Sequence, residues 1–252
     1  MSAPTVATGF GAALDRVEGV EGWMTDGQAR RLWNAARRVS APGRVVEIGS
    51  FRGRSAIILA CAAKEGVEVI AIDPHGGGDR GPREITPDTL RGEEDHRVLH
   101  ANLERAGVSE RVRHVRATSH DALEDVAGEV DLLYVDGAHR YSPARADIER
   151  WGDRVAPGGT MLIHDSFNAV GVMLAQIRAL FLSRSWRYVG RSGSLAEYRR
   201  MRMSGFELAA NALRQLSQLP SFVRLATVKL LLVSRLGPLT RLLGHESRDW
   251  PY

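Results

Sequence analysis

The chain has 252 residues, of which 44% are hydrophobic, 25% charged and 6% aromatic. This balance is typical of one soluble globular domain and excludes a fibrous or structureless protein. The single cysteine, Cys61, cannot form an internal disulfide, and no secretory leader pattern is present, so we expect a cytoplasmic protein. No stretch of about 18 residues lacks charge, which argues against an ordinary membrane-spanning helix.

The net charge of +4 is unevenly distributed along the chain. Residues 199–252 contain nine basic and three acidic residues, a net charge of +6, which leaves −2 for residues 1–198. Because the main body is not basic, we do not expect a nucleic-acid partner.

The chain divides into three zones, residues 1–43, 44–200 and 201–252. In the first zone, Thr25 or Asp26 can cap a helix predicted over residues 27–39. The sequence of the last zone, residues 201–252, predicts helices that are interrupted by prolines and a glycine.

Short apolar runs alternate with helical patterns between residues 44 and 200, as in a parallel sheet with helices on both faces. The five predicted parallel strands are VVEIG (45–49), EVIAID (68–73), VRHVRA (112–117), DLLYVD (131–136) and TMLIHD (160–165). The runs WRYVG (186–190) and SLAEYRR (194–200) predict a hairpin that adds an antiparallel strand. The fold class is therefore α/β, a Rossmann-like doubly wound and mostly parallel sheet with a helical C-terminal extension.

The segment 74–92 is rich in Gly, Pro and Asp and follows the second predicted strand directly. We expect a long loop at the carboxyl edge of the sheet, where long loops are often functional.

The first strand leads into a glycine turn, EIGSFRGRS, residues 47–55. Gly49 allows a tight turn, Gly53 allows close approach of a ligand or of backbone, and Ser55 can cap the following helix. Phe51 occupies the middle position of the dinucleotide pattern, so the spacing departs from that pattern. Asp73 ends the second strand, where an acid can accept hydrogen bonds from both ribose hydroxyls, and together these features predict an adenosine-type cofactor.

Two acids, Asp136 and Asp165, end the fourth and fifth predicted strands. Both carboxylates are expected at the carboxyl edge of the sheet, where ligands bind in open α/β folds. Either acid alone could simply cap the following loop, but the pair suggests a divalent metal, and oxygen ligands suit Mg²⁺.

Histidines supply candidate bases. His139 lies three residues after Asp136 and can act as a general base. His164 alternates with Asp165 along the strand, so we expect it on the other side as a packed structural residue. His120 could contact an adenine or cap a helix. The remaining histidines, which we expect to lack metal-type spacing, are His75, His96, His100, His114 and His245.

The segments EIGSFRGRSA and DLLYVDGAHRYSPARADIERW…APGGTMLIHDS, with Asp73 between them, resemble class I S-adenosylmethionine-dependent methyltransferases. The resemblance covers about residues 44–200 and is strongest to the group containing catechol, caffeoyl-CoA and macrolide-sugar O-methyltransferases.

The resemblance implies a role for individual positions. The cofactor-binding residues would be Glu47, Gly49, Ser50, Gly53, Ser55, Asp73, Ser119, His120 and Asp136, with Ser119 and His120 beside the adenine. The metal ligands would be Asp136, Asp165 and Ser166, and the catalytic residues His139 and Asp136. The catechol-type pattern has Asp-Asn where this chain has Asp165-Ser166.

The sequence therefore predicts an O-methyltransferase in which Mg²⁺ binds the acceptor hydroxyl and His139 removes its proton. The acceptor would be a small molecule, a sugar or a glycolipid. Sugar or polyketide-like hydroxyls fit better than a flat catechol, because the loop 74–92 is polar and no aromatic cluster stands out near the site. The alternatives are a metal-independent methyltransferase, or a non-catalytic membrane-surface or partner-binding protein on a degenerate nucleotide fold.

Residues 203–245 form an apolar segment in which no acid occurs between Leu208 and Gly244. On a helix, Arg224, Lys229 and Arg235 fall within one arc of roughly 140°. We expect the segment to cover a homodimer partner, the body of the protein or an anionic membrane at the inner face.

Overall fold

The computed structural model describes residues 9–78 and 86–245. Its helices are α1 (Phe10–Arg16), α2 (Asp26–Arg37), α3 (Arg54–Ala62), α4 (Thr89–Arg105), α5 (Ala122–Asp125), α6 (Tyr141–Gly152), α7 (Val170–Ala179), α8 (Gly205–Leu216) and α9 (Leu219–Val233). Its strands are β1 (Arg44–Ile48), β2 (Glu68–Ile72), β3 (Val112–Val115), β4 (Val130–Val135), β5 (Val155–Ile163), β6 (Trp186–Ser192) and β7 (Leu195–Arg200). Short 3-10 segments lie at Ser109–Arg111 and Gly237–Leu243.

The strands form one sheet in the order β3-β2-β1-β4-β5-β7-β6. β1 to β5 pair in parallel, and β7 runs antiparallel to both β5 and β6. This arrangement confirms the predicted Rossmann-like fold class, including the antiparallel strand near the C-terminus. The predicted strands overlap the observed ones, with bounds that differ by a few residues.

Helices cover both faces of the sheet and enclose two apolar clusters. One cluster joins α1, α2 and α3 to the sheet, and the other joins α6 and α7 to the opposite face. The helix predicted over residues 27–39 is α2, and Thr25 rather than Asp26 is its N-cap, in a capping box with Gln28. The first zone of the chain therefore contributes directly to the core.

The chain reverses its winding between β1 and β4, which are neighbours in the sheet. The helices that follow these two strands, α3 and α6, lie on opposite faces, so the loops after the strands diverge and leave a crevice. Gly49 and Asp136 directly follow the two strands and therefore border this crevice.

The segment 74–92 is only partly a loop. α4 begins at Thr89, with the Asp88 side chain accepting a hydrogen bond from the Arg91 amide, so residues 89–92 are helical. Residues 79–85 of the predicted loop lie outside the described residues.

The C-terminal extension packs against the antiparallel edge of the sheet. In α8, the side-chain amide of Asn211 accepts a hydrogen bond from the Tyr188 amide at 2.7 Å. Gln215 is buried and accepts from the Tyr198 hydroxyl at 3.1 Å. The next helix, α9, packs Leu219 and Phe222 against the cluster on the α6 and α7 face. The extension is therefore attached to the body, as one of the three predicted arrangements requires.

The outer side of the extension remains apolar. Its exposed side chains are Phe206, Leu213, Leu216, Val223, Leu230, Val233, Leu236, Leu239 and Leu242. By length and composition alone, the helical segment Gly205–Val233, with a mean hydropathy of 1.3, is long and apolar enough to cross a membrane. The lack of an uncharged stretch therefore does not by itself exclude a spanning helix.

Candidate active site

The glycine turn after β1 is a close-packed corner. Gly49 has φ of 87°, and a Cβ atom there would lie 2.1 Å from the Asp136 carbonyl oxygen. Gly53 has φ of 88°, and a Cβ atom there would lie 2.7 Å from a methyl group of Leu99. Both positions therefore require glycine, because of the left-handed backbone and the close neighbours.

Ser55 does not cap α3, contrary to prediction. The N-cap is Gly53, which offers no side chain, and the Ser55 hydroxyl instead donates to the carboxylate of Glu47. The Ser55 hydroxyl pairs with Glu47 rather than with the N-terminus of α3, because the Ser55 and Glu47 side chains are buried beside each other.

Glu47 is fully buried under the turn, and its Oε2 atom has no hydrogen-bond partner among the described residues. Burial raises the pKa of Glu47 to about 8; the Ser55 hydrogen bond opposes this, while the charges of Asp136 and Asp73 add to it. Ser50, also buried, likewise has a hydroxyl without a described partner. The turn thus presents unpartnered polar atoms and excess negative potential.

Asp73 lies directly after β2 and contacts the glycine turn. Its Oδ2 accepts a hydrogen bond from the Phe51 amide at 2.9 Å, and its Oδ1 accepts from the His75 amide at 2.7 Å. The side chain is partly exposed, so its remaining lone pairs can accept from a ligand. The structure therefore brings together the acid and the turn that predicted an adenosine-type cofactor.

Ser119 and His120 follow β3 and face different surroundings. The Ser119 hydroxyl donates to Asp147, and the Trp151 indole donates to the Ser119 carbonyl at 2.9 Å. Burial raises the pKa of Asp147 to about 6, against the Ser119 hydrogen bond that lowers it. The exposed His120 ring contacts Arg150, and no side chain caps α5, so the capping alternative for His120 is not observed.

The strand-end acids Asp136 and Asp165 are each paired with a histidine. Oδ1 of Asp136 lies 3.1 Å from Nδ1 of His164, and its Oδ2 accepts from the Tyr134 hydroxyl at 2.7 Å. Oδ2 of Asp165 lies 3.0 Å from Nε2 of His139.

His164 lies in the site, which corrects the prediction that it points to the other side. β5 ends at Ile163, so strand alternation no longer applies at His164 and Asp165. Asp165 adopts φ of 54°, a left-handed turn that brings His164 Nδ1 within 3.8 Å of Asp165 Oδ1 as well. His164 therefore bridges the two acids.

The pairing shifts the pKa values of His164, His139 and Asp165. Burial lowers the pKa of His164, but Asp136 outweighs it and raises the pKa to about 9. Burial lowers the pKa of His139 as well, but the hydrogen bond that its ring donates to Asp165 prevails and raises the pKa. Burial would raise the pKa of Asp165, but His139 and His164 hold it well below its usual range. Two imidazolium groups can thus balance two carboxylates.

This donor set does not fit the predicted Mg²⁺ site. Ser166 is fully buried, donates to the Ile163 carbonyl at 2.7 Å and accepts from Gln176, so its hydroxyl is directed away from the crevice. Asp165 also accepts from Asn168 at 2.8 Å, which leaves it paired on both oxygens. Mg²⁺ requires oxygen ligands that are accessible to water. Here the two carboxylates are paired with histidines, and the Ser166 hydroxyl points into the protein.

Lys229, in α9, is a site neighbour that sequence reasoning missed. Its ammonium donates to the Asn168 side-chain oxygen at 2.7 Å and to the Asn168 carbonyl at 3.2 Å. Burial lowers its pKa, against the favourable charge of Asp165. One signal was available, since the 34 basic residues include only two lysines, Lys64 and Lys229.

A second cluster of titratable side chains lies near Asp73. His96, His100 and His114 have ligand atoms within 4.8 Å of one another. The expectation that these histidines lack metal-type spacing is wrong, because His96 and His100 are four residues apart on one face of α4.

Comparisons with known proteins agree with this geometry. Residues 46–166 match the model of a methyltransferase domain family. The chain is 34% identical over 130 residues, half of its length, to the uncharacterized protein y4gI of Sinorhizobium fredii, but it spans only 13% of that protein.

Two solved structures share the fold at low sequence identity. Cofactor-bound Rv0187 from MTB has a TM-score of 0.56 at 22% identity, covering 77% of this chain and 89% of that one. An O-methyltransferase from Bacillus cereus, solved with SAH, has a TM-score of 0.55 at 16% identity, covering 79% of this chain and 94% of that one. The domain match runs from β1 through Asp165 and Ser166 and so includes the crevice.

Proposed function

Because the chain carries a methyltransferase domain with the class I S-adenosylmethionine-dependent fold, we propose that it methylates a hydroxyl oxygen of a small-molecule acceptor. The observation that carries the proposal is the acidic crevice, where the charges of Asp136 and Asp73 add to burial in raising the pKa of Glu47. S-adenosylmethionine supplies an electrophilic methyl on a sulfonium and carries a cationic amino group.

The acids of the crevice suit such a cation. The unpartnered Oε2 atom of Glu47 and hydroxyl of Ser50 can bind polar groups of the methionine part, and Asp73 can accept from the ribose. The charges of Asp136 and Asp73 disfavour the ionised form of buried Glu47, and a cation bound between these groups would favour it. Ser119 and His120 remain our candidates for the adenine side.

His139 is the proposed general base. Its Nε2 lies 3.0 Å from Asp165, so the Nε2 proton is held by that carboxylate and the lone pair on Nδ1 is left to accept the acceptor's proton. Asp165 orients the ring and stabilises the imidazolium that forms. The side chain is 35% exposed and can therefore reach an acceptor in the crevice.

We favour the metal-independent form of the reaction over the Mg²⁺ form. The pairing of Asp136 and Asp165 with His164 and His139, and the inward turn of Ser166, support this choice. Asp136 then serves to hold His164 and to shape the crevice rather than to bind a metal.

The acceptor class is proposed to be a sugar, a glycolipid or a comparable small molecule with a free hydroxyl. Its support is the position of α9, which contacts the turn after Asp165 through Lys229 and exposes Leu230 and Val233 on its outer side. An acceptor with a lipid part could lie along this helix while its hydroxyl reaches His139.

We further propose that the exposed face of the extension rests on an anionic membrane surface in the cytoplasm. Two of the three cations in the predicted arc make internal contacts, since Arg224 binds carbonyls of Leu243 and Gly244 and Lys229 binds Asn168. The apolar face therefore supplies most of the proposed attraction, with the other arginines of residues 201–252 adding to it.

Vesicle co-sedimentation tests this surface. Replacing Leu230 and Val233, both exposed, by Glu should release the protein from anionic vesicles without unfolding it. If the parent stays in the supernatant at low salt and elutes as a dimer that the variant loses, the face is an interface between two copies instead.

The activity is tested by calorimetry with S-adenosylhomocysteine and by transfer of labelled methyl groups to a panel of glycosides and glycolipids. His139→Ala should lower turnover by about 10²- to 10⁴-fold with cofactor affinity unchanged, whereas His245→Ala should match the parent. Activity that disappears on exhaustive chelation and returns only with Mg²⁺ would overturn the metal-independent form. Absence of cofactor binding would remove the function itself.

A further inference from the structure

Two histidines on α4 direct their ring nitrogens toward each other. Nε2 of His96 lies 3.2 Å from Nε2 of His100. Two nitrogens bound to one tetrahedral Zn²⁺ at 2.0–2.1 Å lie about 3.4 Å apart, so the observed pair is already near that spacing. The sequence His96-Arg-Val-Leu-His100 places both rings on one helix face.

The sheet contributes a third imidazole. His114, in the edge strand β3, packs its ring 5.3 Å from that of His96 and 5.4 Å from that of His100. The ring hydrogen-bonds to the backbone of Asp73, while its Nε2 is buried without a partner among the described residues. A backbone carbonyl that holds one ring nitrogen and leaves the other free is the usual outer shell of a metal-bound histidine.

The attachment of α4 to the sheet fixes the geometry of this cluster. A Cβ atom at Gly92 would lie 1.9 Å from the His75 carbonyl oxygen, so the helix and the segment after β2 are in direct backbone contact. His96 lies one turn farther along the same helix face. His75 is itself buried, packs against His96 and His114, and also has an unpartnered Nε2.

Metal ligation requires neutral imidazoles, and burial together with nearby groups favours the neutral forms of His96 and His114. Burial lowers the pKa of His114 to about 3, with neighbouring histidines adding to the effect. Burial and Arg116 lower the pKa of His96, although Glu93 opposes them. Arg116 is paired with Glu93, which limits its repulsion of a cation. Buried imidazole nitrogens without partners are costly to keep, so the cluster needs a function or a ligand.

We propose that His96, His100 and His114 bind a divalent transition-metal ion of the Zn²⁺ type. Three neutral imidazoles select Zn²⁺ and its neighbours over Mg²⁺ or Ca²⁺. His100 is exposed, so the fourth position opens to solvent. Through His114 the ion is linked to the backbone of Asp73, and so to the cofactor side of the crevice.

Zinc titration of the full, tag-free chain, after removal of bound metal, tests the site. We expect the parent to bind Zn²⁺ in competition with a chromophoric chelator, and His100→Ala to lose one equivalent. The affinity of the His100→Ala variant for Zn²⁺ at this site should fall by more than about 100-fold. The loss of a residue that only supports a ligand costs about 10- to 100-fold, and the loss of a ligand should cost more. His100 is exposed, so its replacement leaves the fold intact, and His245→Ala serves as the matched control.

A second pair of variants separates this cluster from the acids of the crevice. His96→Ala should abolish the visible absorption of bound Co²⁺, whereas Asp165→Asn should retain it. Equal stoichiometry and affinity in the parent, His96→Ala and His100→Ala would overturn the proposal. Zinc that is lost in Asp165→Asn but retained in His100→Ala would place the metal at the acids and overturn it equally.

Discussion

The ammonium of Lys229 lies 2.7 Å from Oδ1 of Asn168, the residue whose amide donates to Asp165. A single asparagine thus connects the C-terminal extension to the acid that holds the candidate base. The extension and the reaction centre are therefore physically coupled, although they are more than sixty residues apart in sequence.

Replacing Lys229 by Met should loosen α9 from the body. A hydrogen bond to a charged group contributes about 1.5–3 kcal/mol, and partial exposure reduces this toward the lower end. Hydrogen exchange of residues 219–233 should become faster while the sheet remains protected. Lys64→Met, at the other and exposed lysine, is the control. Unchanged exchange in α9 would mean that packing of Leu219 and Phe222 alone holds the helix.

Stability should fall with rising pH because of His164. Its folded pKa of about 9 exceeds the unfolded value near 6.5, so the stabilisation is complete below about pH 6.5 and disappears as the pH passes 9. The loss is on the order of a few kcal/mol, since one pKa unit corresponds to about 1.4 kcal/mol. Denaturant unfolding between pH 6 and 10 should show a steeper decline in the parent than in His164→Gln. If stability declines with pH equally in the parent and in His164→Gln, His164 is not the group responsible. The control is His120→Gln, at an exposed histidine, which should show the same decline as the parent.

Turnover should rise with pH through a pKa above 6.5, because only neutral His139 can accept a proton. Asp165→Asn removes the charge that raises this pKa, while burial continues to lower it. The inflection of the pH–rate profile should therefore move to lower pH, with a reduced plateau. An inflection at the same pH in both proteins would show that another group limits the rate.

Cofactor binding should release protons near pH 7. Burial keeps Glu47 largely protonated, with a pKa of about 8, and a bound cation would lower that value. Calorimetry in buffers of different ionisation enthalpy should detect up to one proton released at pH 7 and almost none at pH 9. In Glu47→Gln, proton release on cofactor binding should be absent at both pH values. Release that persists in this variant would show that the proton comes from another group.

Gly49→Ala should be severely destabilising. The left-handed backbone costs about 1–3 kcal/mol, and the new methyl group would lie 2.1 Å from the Asp136 carbonyl. Gly158→Ala is the matched control, since Gly158 has a similar φ of 81° and no atom within 4 Å of a built Cβ. The difference in unfolding free energy between the two variants measures the close contact of β1 and β4. Equal losses would mean that the turn relaxes around the added methyl group.

The sheet could be predicted from the sequence because helices cover both of its faces. Strands buried in this way are continuous runs of Val, Ile and Leu, which are recognisable in the sequence. Prediction failed where regular geometry ends. The side chain of His164 follows a left-handed turn at Asp165, not the strand period. Ser55 and Ser166 are the type of residue that caps helices or binds ligands, but Glu47 and the Ile163 carbonyl compete successfully for their hydroxyls.

Distant contacts were beyond sequence reasoning for a different reason. Lys229 reaches Asn168 only because α9 folds back over the α7 side of the sheet. His114 meets α4 because β3 is the edge strand next to β2. The spacing of His96 and His100, in contrast, was readable as two residues on one helix face.

The amide of Asn211 both accepts from the Tyr188 N–H and donates to the Trp186 carbonyl at 3.1 Å. It therefore pairs with the outermost strand, β6, as another strand would. An uncovered strand of this kind is a template for self-association. By covering this edge, α8 prevents aggregation through the sheet. A chain shortened before Ser204 should therefore precipitate or form sheet-linked oligomers, whatever surface the outer side of the extension contacts.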